Sequence, residues 1–143
     1  MGASTFHSRC DSKGPTLVLI KSKSYVFGGF ASKSWGGSGY KRAPNCFIFS
    51  FKNKDGLAPF KTSPSVRPQY AMYSSSSYGP VFGGGFDIYI ANNAKSSSSS
   101  YSNFGYSYRA PSGYSYGNTK IKNLLAGSYK FTPDEVEVFY FSS

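Results

Sequence analysis

The sequence predicts an all-β fold with minor α content, a sandwich or barrel in one domain. Short apolar or alternating runs recur along the chain, each closed by Gly, Pro, Ser or Asn. That is the pattern of short strands joined by tight turns. Helix signals are weak and confined to two short segments. The length, 143 residues, suits one domain and lets roughly two-thirds of the unfolded surface be buried.

The elements follow in order. Gly2 to Arg9 can form one or two helical turns. Thr16-Leu17-Val18-Leu19-Ile20 follows Gly14-Pro15 and reads as a buried strand. Lys21 to Ser24 makes a polar hairpin into Tyr25-Val26-Phe27-Gly28-Gly29-Phe30-Ala31. Cys46-Phe47-Ile48-Phe49-Ser50-Phe51 is a third strand. Period two puts its three Phe on one face, and at least two of them are expected in the core. Asn53-Lys54-Asp55-Gly56 supplies the next turn. Tyr70 to Tyr73 is a short strand. Phe86, Ile88 and Ile90 alternate with Asp87 and Tyr89. Thr119 to Leu125 reads as a second short helix, and Glu135 to Phe141 as a half-buried terminal strand. Ser74 to Ser77 and residues 94–117 read as loops. The second, rich in Ser, Tyr and Gly, is expected to be mobile, and its run Ser96 to Ser100 to contribute little core.

Several classes are excluded. No apolar run approaches the ~20 residues of a membrane span, and no heptads mark a coiled coil. Aromatic residues make up 19% of the chain, against the aromatic poverty of disordered sequences. Met1 to Ser12 has no apolar signal-peptide region, and no glycosylation sequon occurs. Cys10 and Cys46 can pair or stay free. Neither has a second Cys or His nearby, so both read as small buried hydrophobes rather than metal ligands.

An ordered set of segments carries a family resemblance. Phe6-His7-Ser8-Arg9-Cys10-Asp11, then Gly14 to Ile20, resembles a helix end and first core strand of the TLDc domain, the module of oxidation-resistance proteins. Tyr25-Val26-Phe27-Gly28-Gly29-Phe30 is similar to its second strand, and Trp35 stands where the family has an aromatic or apolar residue. Cys46 to Phe51, the glycine-rich Phe82-Gly83-Gly84-Gly85-Phe86 with the strand after it, Ser102-Asn103-Phe104-Gly105, and Phe131 to Phe141 complete the set. The resemblance covers nearly the whole chain, residues 1–143, as a single domain. It implies a sandwich of two antiparallel sheets with one or two short helices. It also implies an intracellular oxidative-stress protein that binds and regulates the vacuolar proton pump. The chain departs from the family in a shortened N-terminal flank and a surface richer in Ser, Tyr and Lys.

No catalytic set emerges. His7 and Asp11 are near in sequence to Ser8, but no nucleophile-elbow motif surrounds them. Glu135 and Glu137 share a strand face that solvation explains. The resemblance marks Asp87, Glu135 and Glu137 as the matching acids, without implying a reaction. Gly83-Gly84-Gly85 lacks the Lys-Ser/Thr of a phosphate loop and precedes a strand, so it reads as close backbone packing. The protein is expected to be no enzyme and to hold no cofactor or metal.

Charge is the outstanding feature. Lys and Arg total 16 against 6 acids, a formal charge of +10. Such a balance serves solubility or an anionic partner. The candidate anion-binding residues are Lys21, Lys23, Lys41, Arg42, Lys52, Lys54, Lys61, Lys120 and Lys122. Signatures of nucleic-acid binding are absent. Tyr101, Tyr106, Tyr108, Tyr114 and Tyr116 lie in a stretch of little charge and are candidates for self-association. The sequence therefore favours a structural or assembly protein. It would self-associate through Tyr/Ser/Gly loops and bind an anionic matrix, a mineral such as silica, or an acidic protein. An extracellular or mineral-associated setting accompanies that reading; a cytoplasmic one accompanies the pump-regulating alternative.

Overall fold

Strands β1 (Thr16–Ser22) and β2 (Tyr25–Ala31) form the expected hairpin. Lys23 takes the left-handed conformation, φ 57°, in its two-residue turn, the twist that suits such a connection. The structure, a computed structural model, describes residues 2–141. β4 (Phe47–Lys52), β5 (Phe60–Thr62) and β11 (Glu135–Tyr140) complete a five-stranded sheet in the order β11-β1-β2-β4-β5. The second sheet has six short strands: β3 (Gly39–Lys41), β6 (Met72–Ser74), β7 (Val81–Phe82), β8 (Ile88–Tyr89), β9 (Ser100–Tyr101) and β10 (Lys130–Phe131). Their order is β10-β9-β8-β7-β6-β3, with every pairing in both sheets antiparallel. Two helices, α1 (Ala3–Cys10) and α2 (Thr119–Lys122), fall where the sequence places them. The predicted two-sheet sandwich with short helices is the observed fold.

The core lies between the sheets. Val18, Ile20, Phe27, Ala31 and Ile48 come from the first sheet, and Met72, Phe82, Ile88 and Phe131 from the second. Phe6 and Cys10 of α1 close one side against Trp35, whose indole donates to Thr16 Oγ1 at 2.8 Å. That bond satisfies the polar end of a buried Trp. Cys10 and Cys46 are both buried and free. Burial is the main reason that both thiols are pushed up from their ordinary value.

Two adjacent glycines decide how each face of β2 packs. A side chain on Gly29 would meet the Phe82 ring at 2.6 Å, so this gap admits Phe82 from the opposite sheet. A side chain on Gly28 would meet the Phe49 ring on the outer face. The same alternation corrects the expectation for β4. Phe47, Phe49 and Phe51 do share a face, but it is the outer one. Ile48 and Ser50 are the fully buried residues that face inward with Gly29 and Phe27, their register partners. Phe49 is covered by lying over Gly28, Phe47 is half-buried, and Phe51 is 56% exposed.

Residues 94–117 also contribute more to the core than their composition suggests. They contain β9, and they bury Ala94, Ser100, Ser102, Phe104, Ser107 and Tyr108. Phe86 departs from the alternation expected of its segment. Its φ of 61° turns its ring away from the core side of Ile88 and onto the outer aromatic face.

Candidate functional site

The possible catalytic groups are held apart or occupied. His7 Nδ1 lies 2.7 Å from Asp11 Oδ1, while Nε2 lies 2.7 Å and 2.9 Å from the carbonyls of Ser75 and Tyr78. Nε2 thus ties α1 to the loop after β6, while Nδ1 holds the residue that caps α1. Asp87 precedes β8 in the six-stranded sheet and is fully buried, whereas Glu135 and Glu137 are exposed on β11 of the other sheet. Asp87 is thus set apart from the two glutamates, which share one face of β11. Among the described residues no three His, Cys, Asp or Glu side chains gather as metal ligands.

Asp87 organises a turn. Its carboxylate accepts the backbone N–H groups of Gly105, Ser107 and Tyr108 at 3.0–3.2 Å. Burial raises its pKa to about 7 against the lowering effect of those donors. Gly83 leaves the room: a side chain there would sit 1.8 Å from Asp87 Oδ1. Gly84 and Gly85 similarly meet the rings of Tyr70 and Tyr106. The glycine run is therefore a packing device, as its sequence suggests.

Six of the nine predicted anion-binding residues gather at one end of the sandwich. Lys21, Val26 and Lys52 are register neighbours across three strands, which places the two lysines about 10 Å apart along the sheet. Lys23 occupies the adjoining hairpin turn. The backbone N–H of Lys54 donates to the Leu124 carbonyl, joining the turn after β4 to the segment after α2. Tyr114 completes the link: its hydroxyl donates to Asp55 at 2.6 Å and its ring lies under the Lys120 ammonium. Lys122 stands over the Tyr129 ring. Asp55, Asp134 and Glu135 interrupt this basic end, Glu135 lying 3.6 Å from Lys21. Lys41 and Arg42 lie elsewhere, at β3, with the Lys41 ammonium donating to the Ser34 carbonyl. Lys61 projects from β5 over the Phe47 ring on the outer face.

The tyrosines divide differently. Tyr108 is fully buried and donates to the Ala71 carbonyl at 2.7 Å, which corrects its assignment to a self-association surface. Tyr114 is half-buried, Tyr116 is exposed, and Tyr106 stacks under Arg67. Tyr101 joins a row that the sequence did not reveal. Tyr70, Tyr40, Tyr73, Phe86, Tyr89, Tyr101 and Tyr129 touch one another in sequence across the outside of the six-stranded sheet, at centroid distances of 4.7–6.3 Å. Burial among these rings pushes Tyr40 and Tyr89 up and Tyr101 to about 12. The signal lay in single tyrosines on two- and three-residue strands. Such strands are too short to show a period, so only pairing brings them together.

Fold and motifs define a β-sandwich with a buried carboxylate turn behind a glycine run. The TLDc domain family matches residues 1–142, and the chain belongs to it. A 43-residue stretch is 46% identical to the "MTOR-associated protein MEAK7" of Danio rerio, covering 29% of this chain and 10% of that protein. Among the described residues no helix is long and apolar enough to cross a membrane.

Proposed function

We propose that this TLDc domain is a non-catalytic docking module that holds an acidic protein surface against the basic end of its sandwich. The convergence of Lys21, Lys23, Lys52, Lys54, Lys120 and Lys122 from separate chain segments supports this reading. Clustered charge of one sign raises encounter rates and selects an opposite surface. The engagement of His7 and Asp87 in structural hydrogen bonds supports a role without catalysis.

An acidic protein is favoured over silica or another mineral. The basic end is stepped by tyrosine rings and broken by Asp55, Asp134 and Glu135, a mixed relief suited to a shaped partner. A flat anionic solid would be met better by a broad field of cations, and Lys41, Arg42 and Lys61 lie outside the cluster. The family's link to the vacuolar proton pump and the MTOR association in the relative's name both concern protein assemblies. Either kind of assembly could present the acidic surface. Self-association through Tyr101, Tyr106, Tyr114 and Tyr116 is a second reading, favoured by the 49% exposure of Tyr116.

The test is a variant with Lys52→Glu, Lys54→Glu and Lys120→Glu, which lowers the formal charge by about six units. A polyglutamate peptide and colloidal silica serve as probes. Polyglutamate should bind the parent chain, release as salt shortens the Debye length, and fail to bind the variant. Binding that ignores both salt and the reversals would refute the reading. Stronger retention on silica than on polyglutamate would favour the mineral instead.

A further inference from the structure

The outer face of the five-stranded sheet is apolar. On the outside of β11, β1, β2 and β4, the register sets Phe139 beside Leu17, Leu17 beside Phe30, and Phe30 beside Phe47. The next row runs Glu137, Leu19, Gly28, Phe49, Lys61 across all five strands. Rings tie the rows together, since Phe47 contacts Phe30 and Phe49, and Phe49 contacts Phe51. Phe51, Phe139 and Phe141 remain 56%, 47% and 62% exposed. A face of this kind exceeds the scattered apolar residues expected on an isolated monomer.

The row through Gly28 is complementary to its own reverse. It has a carboxylate at the β11 end, an ammonium at the β5 end, and apolar groups between them. A two-fold axis parallel to the strands and passing over β2 would lay one copy's β11 on the other's β5, and β1 on β4. Glu137 of each copy would then face Lys61 of the other, and Leu19 would face Phe49. In the neighbouring row Leu17 would face Phe47, and Phe30 its own counterpart. Gly28 adds no side chain at the axis, and the Phe49 ring fills its place, so the centre is flat.

We propose that two copies of this chain associate face to face through this sheet, with Glu137 and Lys61 forming two symmetric ion pairs at its margins. An interface in which each residue meets its symmetry counterpart is the rule for two-fold dimers. Aligned packing of sheets about 10 Å apart is the ordinary way for two such faces to meet. Four strands of six or seven residues and one of three present roughly 450 Å² in plan on each copy. That falls at the small end of specific interfaces, so association is expected in the micromolar range rather than the nanomolar. The surface adjoins the basic end: Glu135, Lys21, Val26 and Lys52 form the next row of the same face. There the same axis would set Lys21 opposite Lys52, a repulsion that keeps association weak. The proposal does not depend on docking there.

Sedimentation of the full chain over rising concentration tests it, with circular dichroism and melting as folding controls. The parent chain should shift from monomer to dimer. Glu137→Lys alone and Lys61→Glu alone should each weaken dimerisation at least tenfold, because each sets like charges opposite one another. The double reversal, Glu137→Lys with Lys61→Glu, should restore it. Mixing the two single variants should give heterodimers, since one then carries lysines and the other glutamates at all four sites. Leu19→Asp should abolish association in every background. The proposal is overturned if the parent stays monomeric at all concentrations. It is equally overturned if dimers survive either single reversal, or if Tyr116→Ser dissolves them while the reversals do not. Failure of the parent chain to bind polyglutamate while it still dimerises would overturn the docking reading alone.

Discussion

The backbone N–H of Tyr108 donates to Asp87 Oδ2 at 3.1 Å, and the hydroxyl of the same tyrosine donates to the Ala71 carbonyl at 2.7 Å. One residue thus locks a turn from residues 104–108 onto a buried carboxylate and, through its ring, onto the six-stranded sheet. Phe104 and Tyr108 are carried into the core by this arrangement.

Asp87 should make stability depend on pH. Its pKa is about 7 in the folded chain, against about 3.9 in an unfolded one. Between those values the native state keeps a proton that the unfolded state has released. Unfolding free energy should therefore fall as pH rises from about 4 to 7, by at most about 1.4 kcal/mol per unit, and level off above. Urea titrations at steps across this range should show the decline in the parent. The contribution should vanish in Asp87→Asn, which does not titrate and whose amide oxygen can still accept the three N–H groups that Oδ2 accepts. An equal slope in both proteins would contradict the assignment.

Tyr108 separates the hydroxyl from the ring. Tyr108→Phe should cost about 0.5–1.5 kcal/mol, because the Ala71 carbonyl loses the hydroxyl but keeps the Gly83 N–H as a donor. Tyr108→Ala should cost about 3–5 kcal/mol, as large aromatic truncations in a core do. Equilibrium unfolding of both variants checks the order. Equal losses would show that the ring adds nothing to the core.

β4 offers a contrast between its two faces. Ile48→Ala should cost about 2–5 kcal/mol through lost burial and a cavity. Phe51→Ala should stay within about 1 kcal/mol, measured at concentrations low enough to keep the chain monomeric. The larger residue should thus matter less, and melting curves that reverse this order would invert the strand.

The serine run is not uniform. Ser98 and Ser99 are exposed, but Ser100 is fully buried and its Oγ accepts the Ala91 N–H at 3.0 Å. Ser98→Ala with Ser99→Ala should leave stability within about 0.5 kcal/mol. Ser100→Ala should lower it by about 1–3 kcal/mol, by leaving a buried donor unpaired. Denaturant midpoints of the two variants should differ accordingly.

The sequence by itself determined the β class, the hairpin from Thr16 to Ala31, both short helices, the alternation of Glu135 to Val138 and the packing role of Gly83 to Gly85. These are local properties: a strand's period, a turn's residues and a helix's brevity are written within a few neighbours. It also determined the excess of positive charge, since charge counts need no fold. Only the tertiary structure decided which face of each strand points inward. Period two put Phe47, Phe49 and Phe51 together, but apolar residues occupy both faces of β4. The choice fell to Gly29, which admits Phe82 from the opposite sheet. The same holds for Tyr108, whose burial depends on a carboxylate 21 positions away. It holds again for the six lysines at one end and the tyrosine row on the second sheet, which only strand pairing assembles. What the sequence could not carry were contacts between distant segments, because their partners are fixed by register and close packing rather than by local pattern.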